Sequence, residues 1–240
     1  MLDEKIQDNK LQLLGKLTAS LIHEIRNPLS VVKLNLDYLK MIEEELSAEA
    51  KESVEFCQDA LGRIQYLVDD VLTFSRKNQS NSGLCSINEI TESAVNIMQH
   101  NAERRKIRIV TSLDAEIPEG RFDKSKILQV FLNLLTNAIE SCNGTGTVTI
   151  KTVKNEGAVV WAIEDNGVGI SESEKDKIFK DFYTSKEKGT GLGLSVCKMI
   201  LQEYDAELDF ESKIGEGSKF FIRFKPNLMQ GEHEIQDINY

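Results

Sequence analysis

Several features are missing from this 240-residue chain, and each absence narrows its function. No apolar run approaches the ~20 residues that span a bilayer. The longest, such as Val159-Val160-Trp161-Ala162-Ile163, are core-sized, so no membrane segment is expected. No basic patch offsets a formal charge of −10, from 39 acidic against 29 basic residues. Nucleic acid and anionic lipid are therefore disfavoured as partners. The four cysteines (Cys57, Cys85, Cys142, Cys197) form no C-x-x-C pair, which argues against a zinc site and a disulfide framework. They read as small buried apolar residues. The start, Met1-Leu2-Asp3-Glu4-Lys5, lacks the basic-then-apolar layout of an export signal, so a cytoplasmic location is expected.

Two kinds of periodicity divide the sequence. Leu14, Leu17, Leu21, Ile25, Leu29, Val32, Leu36, Leu39 and Ile42 recur at steps of three and four, predicting an amphipathic helix over 11–46 with a coiled-coil-like seam. Ser47 offers a second helix start, and Val54, Leu61, Ile64, Leu67 and Val71 carry the same period to about Ser75. Two such helices form an antiparallel hairpin with an apolar stripe too long to bury alone. Pairing with a second copy into a four-helix bundle would cover it, so a homodimer is expected. The polar run Lys77–Gly83 reads as a hinge. Beyond it, helical stretches near 88–105, 123–142 and 191–203 alternate with strand-like runs at 107–113, 147–153, 158–164 and 219–224. The expected class is α+β multidomain, a helical hairpin followed by an α/β sandwich. The domains are then 1–79 and 84–226, with a frayed tail over 227–240.

His23 sits mid-helix in His23-Glu24-Ile25-Arg26-Asn27-Pro28-Leu29. A lone helical histidine is more often structural than catalytic. Here Leu21, Ile22 and Ile25 already supply the seam, leaving the imidazole free to face outward. Glu24 beside it can accept a ring proton, and an imidazole titrating near neutrality is a competent nucleophile. Pro28 should bend the helix just after the site. Asn27, one turn from His23, shares its face and can orient a water.

Three further motifs suit a nucleotide. Asp165-Asn166-Gly167-Val168-Gly169 places a carboxylate at a strand end, fit to accept from an exocyclic amine, although D-N-G equally marks a hairpin. Gly189-Thr190-Gly191-Leu192-Gly193 opens an apolar helix whose amides can face phosphates, without Rossmann or P-loop spacing. Asn133 and Asn137 lie four apart on a helix that Asp123 can cap. Their amides are satisfied either by backbone groups or by a hydrated Mg²⁺ bridging phosphates.

The run from His23 to Leu29 resembles the H-box of bacterial two-component sensor histidine kinases. The elements around Asn137, Asp165–Gly169, Phe179/Phe182 and Gly189–Gly193 resemble, in the same order, the nucleotide motifs of the Bergerat-fold (GHKL) ATPases. The resemblance implies autophosphorylation of His23 by ATP, with Glu24 as general base and Asn27 helping to dephosphorylate a partner. It implies that Asp165 binds the adenine amine and Asn137 ligates Mg²⁺. Asn133, Gly167, Gly169, Phe182, Gly189, Thr190, Gly191, Leu192 and Gly193 would line the nucleotide. Residues 183–188 would form a short lid in which Lys186 or Lys188 reaches the phosphates. Implied partners are a second copy, the receiver domain of a response regulator, and an upstream sensor or protein inhibitor acting on the hairpin. The chain would then be a soluble kinase or the cytoplasmic part of a membrane-bound sensor.

Glu140 departs from the pattern, standing three residues after Asn137 where many of these kinases carry lysine. With the short Tyr183-Thr184-Ser185-Lys186 lid, that departure resembles the nitrogen-regulation and sporulation-type subgroup. Two other readings compete. A hydrolytic machine of the same superfamily needs a glutamate where Asn133 stands, and an amide is no general base. A scaffold that merely binds ATP would not need an intact His23-Glu24 pair.

Overall fold

The computed structural model describes Ile25, residues 27–54, 56–58, 61, 62 and 64, 82–155, 157–186 and 191–229. The chain separates into two compact units, Met1–Gln79 and Ser80–Tyr240. Among the described residues, no helix is long and apolar enough to cross a membrane.

In the first unit, helix α1 covers 27–41 and Ile25 is also helical, so Pro28 does not end the helix. A 3₁₀ turn at Glu43–Glu45 follows. Helix α2 starts at residue 48, where the Ser47 hydroxyl accepts the Ala50 amide at 3.3 Å, and its described residues reach 64. Leu36 and Leu61 are buried, whereas Val31, Val32, Leu34, Tyr38, Met41, Phe56 and Ile64 are exposed. The expected seam residues Leu14, Leu17 and Leu21, the second helix beyond residue 64, and most of the 77–83 hinge lie outside the described residues.

The second unit begins with β1 (Gly83–Cys85), α3 (Ile87–Arg104), β2 (Ile107–Leu113), β3 (Gly120–Phe122) and α4 (Lys124–Ser141). It continues with β4 (Gly146–Asn155), β5 (Ala158–Asp165), α5 (Glu172–Lys175), α6 (Gly193–Glu203), β6 (Glu207–Lys213), β7 (Gly217–Phe224) and α7 (Pro226–Met229). Five strands form a mixed sheet in the order β2-β4-β5-β7-β6, with β2 parallel to β4 and every other pair antiparallel. Strands β1 and β3 pair separately. Helices α3, α4 and α6 pack side by side, α3 meeting β2, α4 meeting β4, β5 and β7, and α6 meeting β6. This is the expected α/β sandwich.

Period-two alternation explains why one face of the sheet is covered. On β5, Val159, Trp161, Ile163 and Asp165 are buried, while Val160, Ala162 and Glu164 alternate with them. On β7, Phe220, Ile222 and Phe224 do the same. Trp161 stacks on Phe131 of α4, ring centroids 4.2 Å apart and 3° from parallel. Its indole N–H donates to Thr91 Oγ1 at 2.9 Å, and that hydroxyl donates to Ile87 O at 2.8 Å. The polar tip of the buried aromatic is thus satisfied.

Three differences from the sequence expectations have simple causes. The chain is ordered over Pro226–Met229: α7 packs against β3 and β5, and Met229 is 2% exposed. That segment is too short for periodicity to reveal, and residues 230–240 lie outside the described part. Strands β1, β3 and β6 lie outside the expected set, since two have three residues and β6, Glu-Leu-Asp-Phe-Glu-Ser-Lys, is polar at every other position along an edge. Of the cysteines, Cys142 and Cys197 are buried, but Cys57 is exposed and Cys85 half-buried.

Candidate nucleotide site

Helix α4 carries the first wall. The Asp123 carboxylate caps it, accepting the Ser125 and Lys126 amides at 3.0 and 3.4 Å. Its apolar face buries Ile127, Val130, Phe131, Leu134, Leu135, Ala138 and Ile139. Across it runs a polar row at four-residue steps, Asn133, Asn137 and Ser141. Asn133 is 1% exposed. Its amide nitrogen donates to Gly193 O at 3.2 Å, while its Oδ1 is buried with no partner. An orphaned buried acceptor is costly and marks a site for a ligand or an ordered water. Asn137 Oδ1 accepts from the Lys186 ammonium at 2.9 Å, and the same ammonium meets Glu140 Oε2 at 2.6 Å.

The second wall is the end of β5. Alternation turns Asp165 inward, and it is 5% exposed. Its Oδ1 accepts from Ser141 Oγ at 2.7 Å and from the Gly167 amide at 2.9 Å. Burial pushes the Asp165 carboxyl above its ordinary value, opposed by the hydrogen bonds from Ser141 and from the Gly167 and Ser218 backbones. The glycines after it serve close packing. A Cβ on Gly167 would lie 2.5 Å from Ser141 backbone atoms, and Val168 donates to Ser141 O at 3.1 Å. Gly169 has φ +71, and a Cβ there would lie 2.1 Å from Lys213 O. The turn after Asp165 is thereby locked onto the end of α4.

The third wall joins the lid and α6. Tyr183 Oη donates to Glu174 Oε1 at 3.2 Å, and the Lys186 amide donates to Thr184 Oγ1 at 3.1 Å. Phe179 contacts the Phe210 ring edge-on at 5.7 Å, whereas Phe182 is 69% exposed with φ +63. Gly191 has φ +69, and a Cβ there would lie 2.3 Å from the Phe182 carbonyl carbon. Gly191 thus lets the start of α6 cross the Phe182–Tyr183 backbone. Helix α6 has no side-chain cap at Leu192, whose own side chain is buried. An uncapped 11-residue helix offers its first amides to an anion.

The structure therefore gathers Asn133 with Gly193, Asn137 with Lys186, and Asp165 with Gly167, and sets Gly191 against Phe182. Asn27 is helical and exposed in the first unit. His23, Glu24, Lys188, Gly189 and Thr190 lie outside the described residues. Two residues escaped the motif reading. Ser141 continues the Asn133-Asn137 row by one more step of four, a signal present in the sequence. Glu140 departs from the resembled pattern, and its contact with Lys186, 46 residues away, carries no local signature.

A mixed sheet backed by three helices, with asparagines on the central helix and a buried aspartate at a strand end, defines the ATP-binding domain of the GHKL class. Residues 122–228 match the family described as "Histidine kinase-, DNA gyrase B-, and HSP90-like ATPase", and residues 13–80 match "His Kinase A (phospho-acceptor) domain". The chain belongs to the two-component histidine kinases and carries their catalytic core. It is 32% identical to sporulation kinase C of Bacillus subtilis over 90% of its length, covering 50% of that protein. It is 30% identical to the signal transduction histidine-protein kinase AtoS of Escherichia coli over 90% of its length, covering 35% of that protein. Histidine kinase ThkA, solved in complex with response regulator protein TrrA, superposes with a TM-score of 0.61 at 25% identity, over 92% of this chain and 64% of that one. The chain thus spans about half, or less, of the curated relatives it matches.

Proposed function

We propose that this chain transfers the γ-phosphoryl group of ATP to His23 in a homodimer and passes it to an aspartate of a response-regulator receiver domain. Residues 1–79 serve as the dimerisation and phosphoacceptor hairpin, and the unit from residue 84 onward serves as the ATP-binding domain. The observation that carries this reading is the polar row of α4, which ends on buried Asp165 at one side and on the open end of α6 at the other. Family membership of both units supports it.

Each residue then has a chemical task. Asp165, oriented by Ser141, accepts the adenine amine, and its carboxylate geometry rejects a base presenting a carbonyl there. The first amides of α6, with Gly191 and Gly193, bind the phosphates. Mg²⁺ fits the donor set. Among the described residues no three His, Cys, Asp or Glu side chains cluster to cage a metal, whereas Asn137 Oδ1 already holds a cation and Asn133 Oδ1 is unpartnered. Neutral oxygens of this kind suit an ion shared with substrate phosphates. Bound there, the ion would neutralise phosphate charge.

A ring nitrogen of His23 attacks the γ-phosphorus, the bond from that phosphorus to the β,γ-bridging oxygen breaks, and ADP leaves. Glu24 takes the imidazole proton. Asn27, exposed on α1, orients the water that later hydrolyses the regulator's acyl phosphate. The exposed apolar stripe of the hairpin supports pairing with a second copy, and signals from an upstream sensor or a protein inhibitor act on that helix packing. Asn133 supports transfer over hydrolysis, because it supplies no general base.

Incubation with γ-labelled ATP and Mg²⁺ tests the proposal. Acid-labile, alkali-stable label that disappears in His23→Gln is expected. Label that survives this substitution sinks the reading.

A further inference from the structure

The lid end of α4 holds a charge arrangement that the assignments above leave unused. Lys186 reaches from the lid to two residues of α4, donating to Asn137 Oδ1 at 2.9 Å and to Glu140 Oε2 at 2.6 Å. Both side chains of the ion pair are partly exposed, at 43% and 34%. Such a partly exposed pair adds little to stability, and ordering a lysine opposes even that gain. Stability therefore does not account for it. What the contact does accomplish is positional: it sets the Lys186 ammonium beside Asn137, on the polar face of α4. The lysines of α4 stand only at 124 and 126, far from Asn137, so the cation beside Asn137 comes from the lid.

We propose that Glu140 is a positioning residue for the nucleotide's phosphates, holding the Lys186 ammonium over the Asn137 face of α4. This rests on the reading of the nucleotide site given above. An oxygen that ligates Mg²⁺ does not also hold an ammonium, so the Glu140 contact is the tie that persists when Asn137 turns to the metal. The carboxylate thus recruits positive charge to the phosphates despite its own sign. A plain surface carboxylate beside a polyphosphate would do the opposite, repelling it and weakening binding. The two readings predict changes of opposite direction on removing the charge.

The test measures dissociation constants of ATP and AMP, with and without Mg²⁺, by calorimetry on the full chain. The variants are Glu140→Gln, Glu140→Asp, Lys186→Gln and the Glu140→Gln/Lys186→Gln pair. Glu140→Gln is expected to weaken ATP about three- to tenfold, with AMP changed less than about twofold and the thermal midpoint unchanged. Glu140→Asp should recover part of the loss, and Glu140→Gln should have no further effect once Lys186 is replaced. Tighter or unchanged ATP binding in Glu140→Gln overturns the proposal. So does an equal loss in the Lys186→Gln background. Wild type that binds neither nucleotide would overturn the site reading itself.

Discussion

Ser141 Oγ, in the last turn of α4, donates to Asp165 Oδ1 at the end of β5 across 2.7 Å. This one bond ties the central helix to the central strand at the point where a base would be recognised. It also pulls against the upward push that burial exerts on the Asp165 carboxyl.

Replacing Asp165 by Asn should abolish ATP binding without unfolding the domain. The carboxyl's folded value lies above its ordinary one, so the native state holds its proton more tightly than the unfolded chain. Stability contributed by that proton is present at low pH and lost as pH rises through the folded value. Wild type should therefore gain thermal stability relative to Asp165→Asn as the pH is lowered from neutral into the acid range. Melting curves across that range, beside calorimetry with ATP, check both halves, and retained ATP affinity would show the adenine assignment to be wrong.

Ser141→Ala removes the donor and leaves the carboxylate with its backbone partners, the Gly167 amide foremost. Losing one hydrogen bond to a charged group costs about 1.5–3 kcal/mol. The Asp165 carboxyl should rise further. ATP affinity should fall by tenfold or more, and the loss should deepen as pH is lowered, because protonation then competes with binding at higher pH than in wild type. Titration of affinity against pH for both proteins provides the measurement.

Met229→Ala should destabilise the second unit by about 2–5 kcal/mol. The side chain is 2% exposed, and its sulfur would lie 2.9 Å from a Cβ placed on Gly120, the first residue of β3. A chain stopped at residue 226 should melt at least as early as this variant. Denaturant unfolding of the three proteins reads the difference, and equal midpoints would return 227–229 to the status of a tail.

Much of this protein was legible in one dimension. Strand and helix periods differ, and the core turns on that difference: the alternation of Val159, Trp161, Ile163 and Asp165 along β5, and the three- and four-residue steps of Ile127, Phe131, Leu134 and Ala138 along α4. Caps such as Asp123 act within three residues, so they too can be read locally. The motifs at Asn133–Asn137, Asp165–Gly169 and Gly189–Gly193 stand out because their residue types are unusual for a core helix or a strand end.

Contacts across long separations were not legible. Ser141 and Asp165 are 24 residues apart, Asn133 and Gly193 60, and Glu140 and Lys186 46. Which partner each finds depends on strand order, on the register that sets Asp165 opposite Ser218, and on glycines 167, 169 and 191 letting backbone approach backbone. Local chemistry specifies the elements and their buried faces. Packing chooses, among many polar groups able to bond, the few that meet.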